Sequence, residues 1–295
     1  MSPTIRRRGA VLLISFCLSA STAREIVEDI PLERFEDDHL PALQRLRERL
    51  ESSLLNQSRG ILMVSEQTDS VWSDLSIPIW EEYARQHDQG FFLQREPLLA
   101  GQAFSGWTTL RTLIELMPKV QWKYMLVVTS NALPAKFNET WDDLITSHMR
   151  AKRYANDSPE KRVLWFPWDC EDDNVSAFTR GTCYGPFFDI FIVQQKPKAS
   201  KIISSWFVKR KVRKHEDSYA KAFQATAPPY GDYIFYRKAA TAEIGLPTSS
   251  RFPVWKFEAN RQPRQVRDQM FAFMQKHPIL GPVGNLKQRQ LESEL

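Results

Sequence analysis

Short apolar segments alternate with stretches of helical periodicity through most of this chain, and this alternation restricts the fold more than any other feature of the sequence. The predicted strands are Ile61–Ser65, Gly90–Leu93, Tyr124–Val128, Arg162–Phe166 and Phe188–Val193. The predicted helices are Ile79–His87 after Pro78, Trp107–Met117, Glu139–Tyr154, a helix from about Pro197, Glu216–Ala225 and Val266–Lys276. Such alternation is typical of βαβ units. We therefore expect an α/β fold with a mostly parallel sheet and helices on both faces.

The first 23 residues have the pattern of a secretory signal peptide. Three arginines, Arg6–Arg8, precede the apolar run Ala10–Leu18, and Ser21–Ala23 provides a cleavage site of small residues. The alternative is a retained signal anchor, but the apolar run is much shorter than the roughly 20 residues that span a bilayer. We expect cleavage, no transmembrane segment afterwards, and a protein that resides in the ER or Golgi lumen or is secreted.

Three further parts follow the predicted signal peptide. Residues 24–58 are charged, and their leucines recur at helical spacing, which indicates a helical stem or an early packing helix. These leucines are Leu40, Leu43, Leu46, Leu50 and Leu54. Residues 59–280 carry the alternating pattern and form the predicted domain, and residues 281–295 form a polar C-terminal tail.

Cysteine and asparagine positions agree with passage through an oxidising compartment. Loss of Cys17 with the signal peptide leaves Cys170 and Cys183, for which we expect a disulfide rather than two free thiols. The sequence N-x-S/T predicts glycosylation of Asn56, Asn138 and Asn174.

Several classes of protein lose support on the sequence alone. The chain has no G-x-G-x-x-G or G-x-x-x-x-G-K-S/T motif, so dinucleotide-binding and P-loop classes are disfavoured. It has no C-x-x-C motif, which disfavours zinc and redox sites. The net charge of +5 is too small to indicate a nucleic-acid partner.

Three segments resemble the galactosyl/mannosyl/xylosyltransferase family. The stretch Trp80–Phe92 resembles its helix-to-strand step, "Tyr-Ala-x-x-His-Gly-Tyr", and Trp107–Leu133 resembles a helix, a tryptophan-containing turn and a central strand. Phe191–Gln195 followed by Lys201–Trp206 resembles a later strand and helix. The resemblance extends over about residues 60–225. It implies a nucleotide-diphospho-sugar transferase with the Rossmann-like GT-A fold.

The sequence departs from this family at the end of the central strand. The family has Asp-x-Asp there, whereas this chain has Thr129-Ser130-Asn131. Carboxylates at this position hold a divalent cation that neutralises the diphosphate. Neutral oxygens bind such a cation less tightly, so Mn²⁺ binding is possible but expected to be weakened. The sequence therefore leaves the cofactor unknown. Either the protein works without this metal, or carboxylates come from elsewhere, or it does not transfer sugar.

Ligands of parallel α/β sheets bind at the carboxyl ends of the strands. This rule selects Ser65, Thr129 and Asn131 as nucleotide-sugar-binding residues. The acidic cluster of residues 169–173 follows a predicted strand and supplies candidate carboxylates. Asp169 and Asp172 are catalytic candidates, and Asp172 and Asp173 are metal-binding candidates. The alternative is a solvated acidic loop closed by the disulfide.

The basic run Lys209–Lys214 has three interpretations. Its cations are suited to neutralising a diphosphate without metal, or to binding an acidic glycan or nucleic acid, of which secretion disfavours the nucleic acid. The third interpretation is the exposed, positively charged end of the preceding helix. The residues that follow, His215, Glu216 and Asp217, suggest a base, a metal site or charges at a helix start.

The leading functional prediction is transfer of a sugar from a nucleotide sugar to a glycan hydroxyl. The expected partners are therefore a nucleotide sugar and a glycan acceptor, with no nucleic acid. The alternative is a catalytically inactive binding or scaffold domain of the same fold. A third option is a secreted α/β protein of unrelated activity.

We predict a disulfide between Cys170 and Cys183. Closing a loop of this size stabilises a fold by roughly 3 kcal/mol in the chain-entropy model. Peptide mapping without reductant is expected to recover the two cysteines in one cross-linked peptide. A Cα separation well beyond about 7 Å would contradict the pairing.

Overall fold

The computed structural model describes residues 38–52, 57–65, 70–100, 105–134, 162–169, 190–210, 216–238 and 254–256, with residues 35, 137, 140, 141, 185, 186, 268 and 272. These residues all belong to the compact unit Glu33–Leu295. The helices are α1 (Leu40–Ser52), α2 (Ser70–Gln86), α3 (Ser105–Leu116), α4 (Pro197–Val208) and α5 (Glu216–Thr226), with a 3₁₀ helix at Pro228–Tyr233. The strands are β1 (Arg59–Val64), β2 (Gly90–Gln94), β3 (Tyr124–Thr129), β4 (Ala132–Pro134), β5 (Leu164–Asp169), β6 (Gly185–Pro186), β7 (Phe191–Gln194), β8 (Ile234–Lys238) and β9 (Val254–Lys256).

The main sheet has the strand order β2-β1-β3-β7-β5, and β6 and β8 both pair with β5. Strand β1 is parallel to β2 and β3, and β5 is parallel to β8. Strand β7 is antiparallel to both β3 and β5, so those two strands run in the same direction. The parallel ladders are the longer ones. The predicted α/β fold with a mostly parallel sheet is therefore confirmed, with β7 and β6 as the reversed strands.

Helices cover both faces of this sheet, as the sequence predicts. Alternate residues of β3 point to opposite faces. Met125 and Val127 belong to a buried cluster that includes residues of α1, α3, α4 and α5, and we call this side the four-helix face. Leu126 and Val128 belong to a second cluster that includes residues of α2, and this side is the α2 face.

Several predicted elements differ from those in the structure. Helix α2 begins at Ser70, so Pro78 lies inside it rather than at its start. An internal proline costs about 3 kcal/mol, and burial of Leu75, Ile79 and Trp80 offsets this cost. Strands β4, β6, β8 and β9 were not predicted. Most of the predicted helix Glu139–Tyr154 and of the helix Val266–Lys276 lies outside the described residues.

Helix α1, which falls within the predicted stem, is a packing helix of this domain. Leu43, Leu46 and Leu50 are buried on the four-helix face. None of the helices that the structure describes has the length and apolar character that a membrane crossing requires.

A buried ion-pair network fixes the start of α1 to α3. The Arg111 guanidinium donates two hydrogen bonds of 3.0 Å to the Asp38 carboxylate, and both side chains are fully buried. Arg111 also lies 2.9 Å from Glu115, which accepts two hydrogen bonds from Arg47. Removing one partner of a buried pair costs about 3–5 kcal/mol because the other charge stays buried. This network therefore holds the N-terminal part of the domain in place.

Trp122 requires two glycines at the beginning of the first two strands. Gly60 and Gly90 are paired in register across β1 and β2, and the fully buried Trp122 ring lies against both. A Cβ atom at Gly60 would lie 2.1 Å from the indole, and one at Gly90 would lie 2.4 Å from it. The indole thus occupies the space that the side chain of any residue other than glycine would fill at these two positions.

We predict that Gly60→Ala lowers the free energy of unfolding by about 1–3 kcal/mol, because overpacking moves the Trp122 ring. Urea denaturation measures this change. In a Trp122→Leu background, which removes the ring, the same substitution is expected to cost much less. Equal costs in both backgrounds would contradict the steric explanation.

Candidate functional site

The carboxyl ends of the parallel strands lie at one edge of the sheet. Val64 at the end of β1 pairs with Gln94 of β2 and with Thr129 of β3. Val193 of β7 pairs with both Met125 and Leu164. These two residues of β3 and β5 therefore lie at the same height along the strand direction. Thr129 and the end of β5 therefore lie at the same edge, which is where the strand-end rule predicts a site.

Ser65 follows β1 at this edge with an unsatisfied hydroxyl. Its amide donates a 2.9 Å hydrogen bond to the Gln94 carbonyl, which fixes the backbone. Its side chain is fully buried, and the Oγ has no hydrogen-bond partner among the described residues. A buried hydroxyl without a partner costs about 1–3 kcal/mol, so this position is a candidate for contact with a polar ligand.

Thr129 and Asn131 bond to each other at the end of β3. The Thr129 hydroxyl donates to the Asn131 Oδ1. Ser130 and Asn131 are buried, and Thr129 is partly exposed. This hydrogen bond joins two neutral side chains at the end of the strand.

This turn does not fit a divalent cation. Such ions prefer several oxygen ligands that include carboxylates, and here a hydroxyl and an amide oxygen are engaged with each other. Within the part of the chain that the structure describes, no three His, Cys, Asp or Glu side chains form a metal-binding group.

A cation of α1 lies near the end of β2. The Arg49 guanidinium donates to the Leu93 carbonyl and to the Gln94 side chain, and stacks 4.7 Å from the centroid of Phe92. Burial lowers the pKa of Arg49, whereas the nearby Glu96 raises it. Sequence reasoning did not identify Arg49, because nothing in the pattern of the amphipathic helix α1 distinguishes it from the other charged residues of that helix.

Helix α2 holds the segment that follows Asn131. The Trp80 indole donates a 2.8 Å hydrogen bond to the Ala132 carbonyl, and the Tyr83 hydroxyl accepts one of 3.0 Å from the Trp141 amide. His87 is bonded to the Phe137 carbonyl at 2.7 Å. Trp80, Tyr83 and His87 lie in the stretch that carries the family resemblance, but the sequence gave no indication of these contacts.

Other predicted site residues are described only in part. Asp169 ends β5, where its backbone pairs with Gly185 of β6. The remaining predicted residues lie outside the described part of the chain: Asp172, Asp173, Cys170, Cys183, Asn56, Asn138 and Asn174. Their roles remain predictions.

The two described members of the basic run bind protein groups at the end of α4. Lys209 donates from its Nζ to the Ala225 carbonyl at 2.7 Å. Arg210 donates to the Phe207 carbonyl at 2.8 Å, and its guanidinium lies 3.8 Å from the centroid of the Phe207 ring. These contacts agree with the third interpretation, that of a positively charged helix end.

Comparison with known proteins shows distant structural likeness alone. No family model matches the chain, and no curated protein matches it. The chain is similar to a glycosyltransferase involved in the glycosylation of the major capsid of PBCV-1, with 12% identity and a TM-score of 0.49. That match covers 72% of this chain and 100% of the other. A protein from STIV is similar over 61% of this chain and 82% of its own, with 8% identity and a TM-score of 0.33.

We predict that Mn²⁺ does not bind at Thr129 and Asn131. The unmodified protein and Thr129→Val are expected to show the same change in melting temperature on addition of MnCl₂, because Thr129 is not a ligand. If the acidic cluster binds the ion instead, Asp172→Asn with Asp173→Asn removes the effect. A manganese effect that is lost in Thr129→Val would contradict the prediction.

Proposed function

We propose that this protein binds a nucleotide sugar at the carboxyl edge of its sheet and transfers the sugar to a glycan hydroxyl in the secretory pathway. The observation that carries the proposal is the buried, unsatisfied hydroxyl of Ser65 beside the turn of Thr129–Asn131. The family resemblance of residues 60–225 supports the same site.

The chemical class of the ligand follows from the groups at this edge. A hydroxyl both donates and accepts hydrogen bonds, and the ribose and phosphate oxygens of a nucleotide offer matching partners. Ser65, Thr129 and Asn131 carry no charge, so they suit recognition of polar oxygens. They do not neutralise a diphosphate.

Transfer breaks the bond between the anomeric carbon and a phosphate oxygen, and forms a bond from the acceptor oxygen to that carbon. The acceptor proton needs a base, and Asp169 at the end of β5 is the proposed residue. The departing diphosphate keeps the bonding electrons and its negative charge. Positioned cations stabilise such charge, and the proposed source is Arg49.

A second candidate function is nucleotide-sugar binding without transfer. The observation that favours it is the hydrogen bond between Thr129 and Asn131, because this neutral pair stands where the family holds its catalytic cation. The two functions share the binding step and differ in the chemistry.

Thermal-shift measurements with a panel of nucleotide sugars, with and without Mn²⁺, test the binding step. A ligand that binds the folded state raises the melting temperature by mass action. Release of the nucleoside diphosphate in the presence of glycan acceptors then separates transfer from binding. Failure of every nucleotide sugar to stabilise the protein would overturn both functions.

We predict that Ser65→Ala reduces the stabilisation by the best nucleotide sugar but does not destabilise the free protein. Removing an unsatisfied buried hydroxyl is expected to leave the free energy of unfolding unchanged or raise it by up to about 1 kcal/mol. Ligand affinity is expected to fall by roughly tenfold, because a hydrogen bond to the ligand is lost.

The matched control is Ser76→Ala in α2. Ser76 is also fully buried and has an unsatisfied hydroxyl among the described residues, but it does not lie at the end of a strand. This variant is expected to have unchanged affinity. Equal affinities for both variants and the unmodified protein would remove Ser65 from the site.

A further inference from the structure

Most of the described residues from Ala132 to Trp141 are buried although they lie outside the main sheet, and Ala132–Pro134 form β4, which pairs with β9. Ala132 and Leu133 are fully buried, and Phe137 and Trp141 are nearly so. Loops usually stay at the surface because buried backbone N–H and C=O groups need hydrogen-bond partners. This segment therefore depends on other parts of the domain for its polar contacts.

One helix supplies many of these partners. The anchor residues, which we define as Trp80, Tyr83, His87 and Gln89, follow one another along α2 and its C-terminal turn. Trp80 donates to the carbonyl of Ala132, the residue directly after Asn131, and the donor-to-acceptor distance is 2.8 Å.

The other anchor residues bond further along the segment. Tyr83 accepts from the Trp141 amide at 3.0 Å, and the Gln89 Oε1 accepts from the Trp141 indole at 2.7 Å. His87 lies 2.7 Å from the Phe137 carbonyl. Since a carbonyl only accepts, His87 donates this bond from its Nε2.

Ring packing fixes the anchor residues themselves. The centroid of Tyr83 lies 5.5 Å from that of Trp80, 4.5 Å from that of His87 and 5.7 Å from that of Phe137. Trp80 and Tyr83 are almost completely buried. Because packing restricts these side chains, the backbone groups to which they are hydrogen-bonded are held in place as well.

We propose that Trp80, Tyr83 and His87 are positioning residues that place the Thr129–Asn131 turn for ligand binding. This inference rests on the proposed function of that turn. The hydrogen bond of Trp80 to Ala132 holds the chain one residue beyond Asn131, so a shift of Trp80 moves the Asn131 amide relative to Ser65. The positioning residues touch no ligand and act through the turn.

The test compares two tryptophans with the same local chemistry. Trp80→Phe removes the indole hydrogen bond to the Ala132 carbonyl on the α2 face. Trp206→Phe is the matched control, because Trp206 is also fully buried and donates a 3.0 Å bond to the Tyr219 carbonyl on the four-helix face. Both variants are expected to lose stability. Trp80→Phe alone is expected to raise the Kd for the stabilising nucleotide sugar, by roughly fivefold or more.

Two substitutions at His87 separate its hydrogen bond from its bulk. His87→Gln keeps an N–H donor of similar reach and is expected to retain most of the affinity, whereas His87→Leu lacks a donor and is expected to lose it. Equal Kd values for these two variants, or equal losses of affinity in Trp80→Phe and Trp206→Phe, would overturn the proposal.

Hydrogen exchange provides a readout that does not need a ligand. Tyr83→Phe removes only the hydroxyl that accepts from the Trp141 amide, so exchange of this amide is expected to accelerate while that of β1 amides stays unchanged. If no nucleotide sugar binds the unmodified protein, the proposed function fails, and this exchange result alone decides whether α2 holds the segment. Unchanged exchange at Trp141 would then overturn the anchoring as well.

Discussion

Burial of β3 on both faces is the constraint on which the rest of this domain depends. Met125, Leu126, Val127 and Val128 are all at most 1% exposed. Burying each such side chain contributes about 1.5–3 kcal/mol, but only if other elements cover both sides of the strand. Strands β1 and β7 therefore flank β3, and helices occupy both faces of the sheet. The strand is buried up to Val128, and Thr129 at its end is partly exposed at the proposed site.

The two faces of the sheet contribute differently to that site. The four-helix face is mostly apolar packing, with the ion pairs of Arg111 holding α1 against α3. The α2 face contains polar side chains that bond the backbone after Asn131. A buried segment of this kind stays in place because its polar groups are satisfied. The domain thus has a rigid support for a turn that would otherwise be an exposed strand end.

The turn itself is chemically consistent with a site that does not depend on a cation. Two carboxylates at positions 129 and 131 would repel each other unless a cation lay between them. Thr129 and Asn131 instead form a hydrogen bond between neutral groups, so no charge repulsion at these positions calls for a cation. The departing phosphate charge then needs other partners, and this requirement links the proposed function to the positive groups elsewhere at the edge. Arg49 of α1 is one such group, because its guanidinium donates to the Leu93 carbonyl near the end of β2.

The sequence by itself determined the α/β class and the strands that end at the site. The apolar run Tyr124–Val128 has the length and composition of a buried strand, and the helical periodicity on either side of it indicates covering helices. Tertiary structure decided what the pattern does not contain: the reversed direction of β7, the start of α2 at Ser70, and the partners of single polar atoms. Strand direction and hydrogen-bond partners depend on residues far apart in the chain. Trp80 and Ala132, for example, are joined only because the sheet brings α2 over the end of β3.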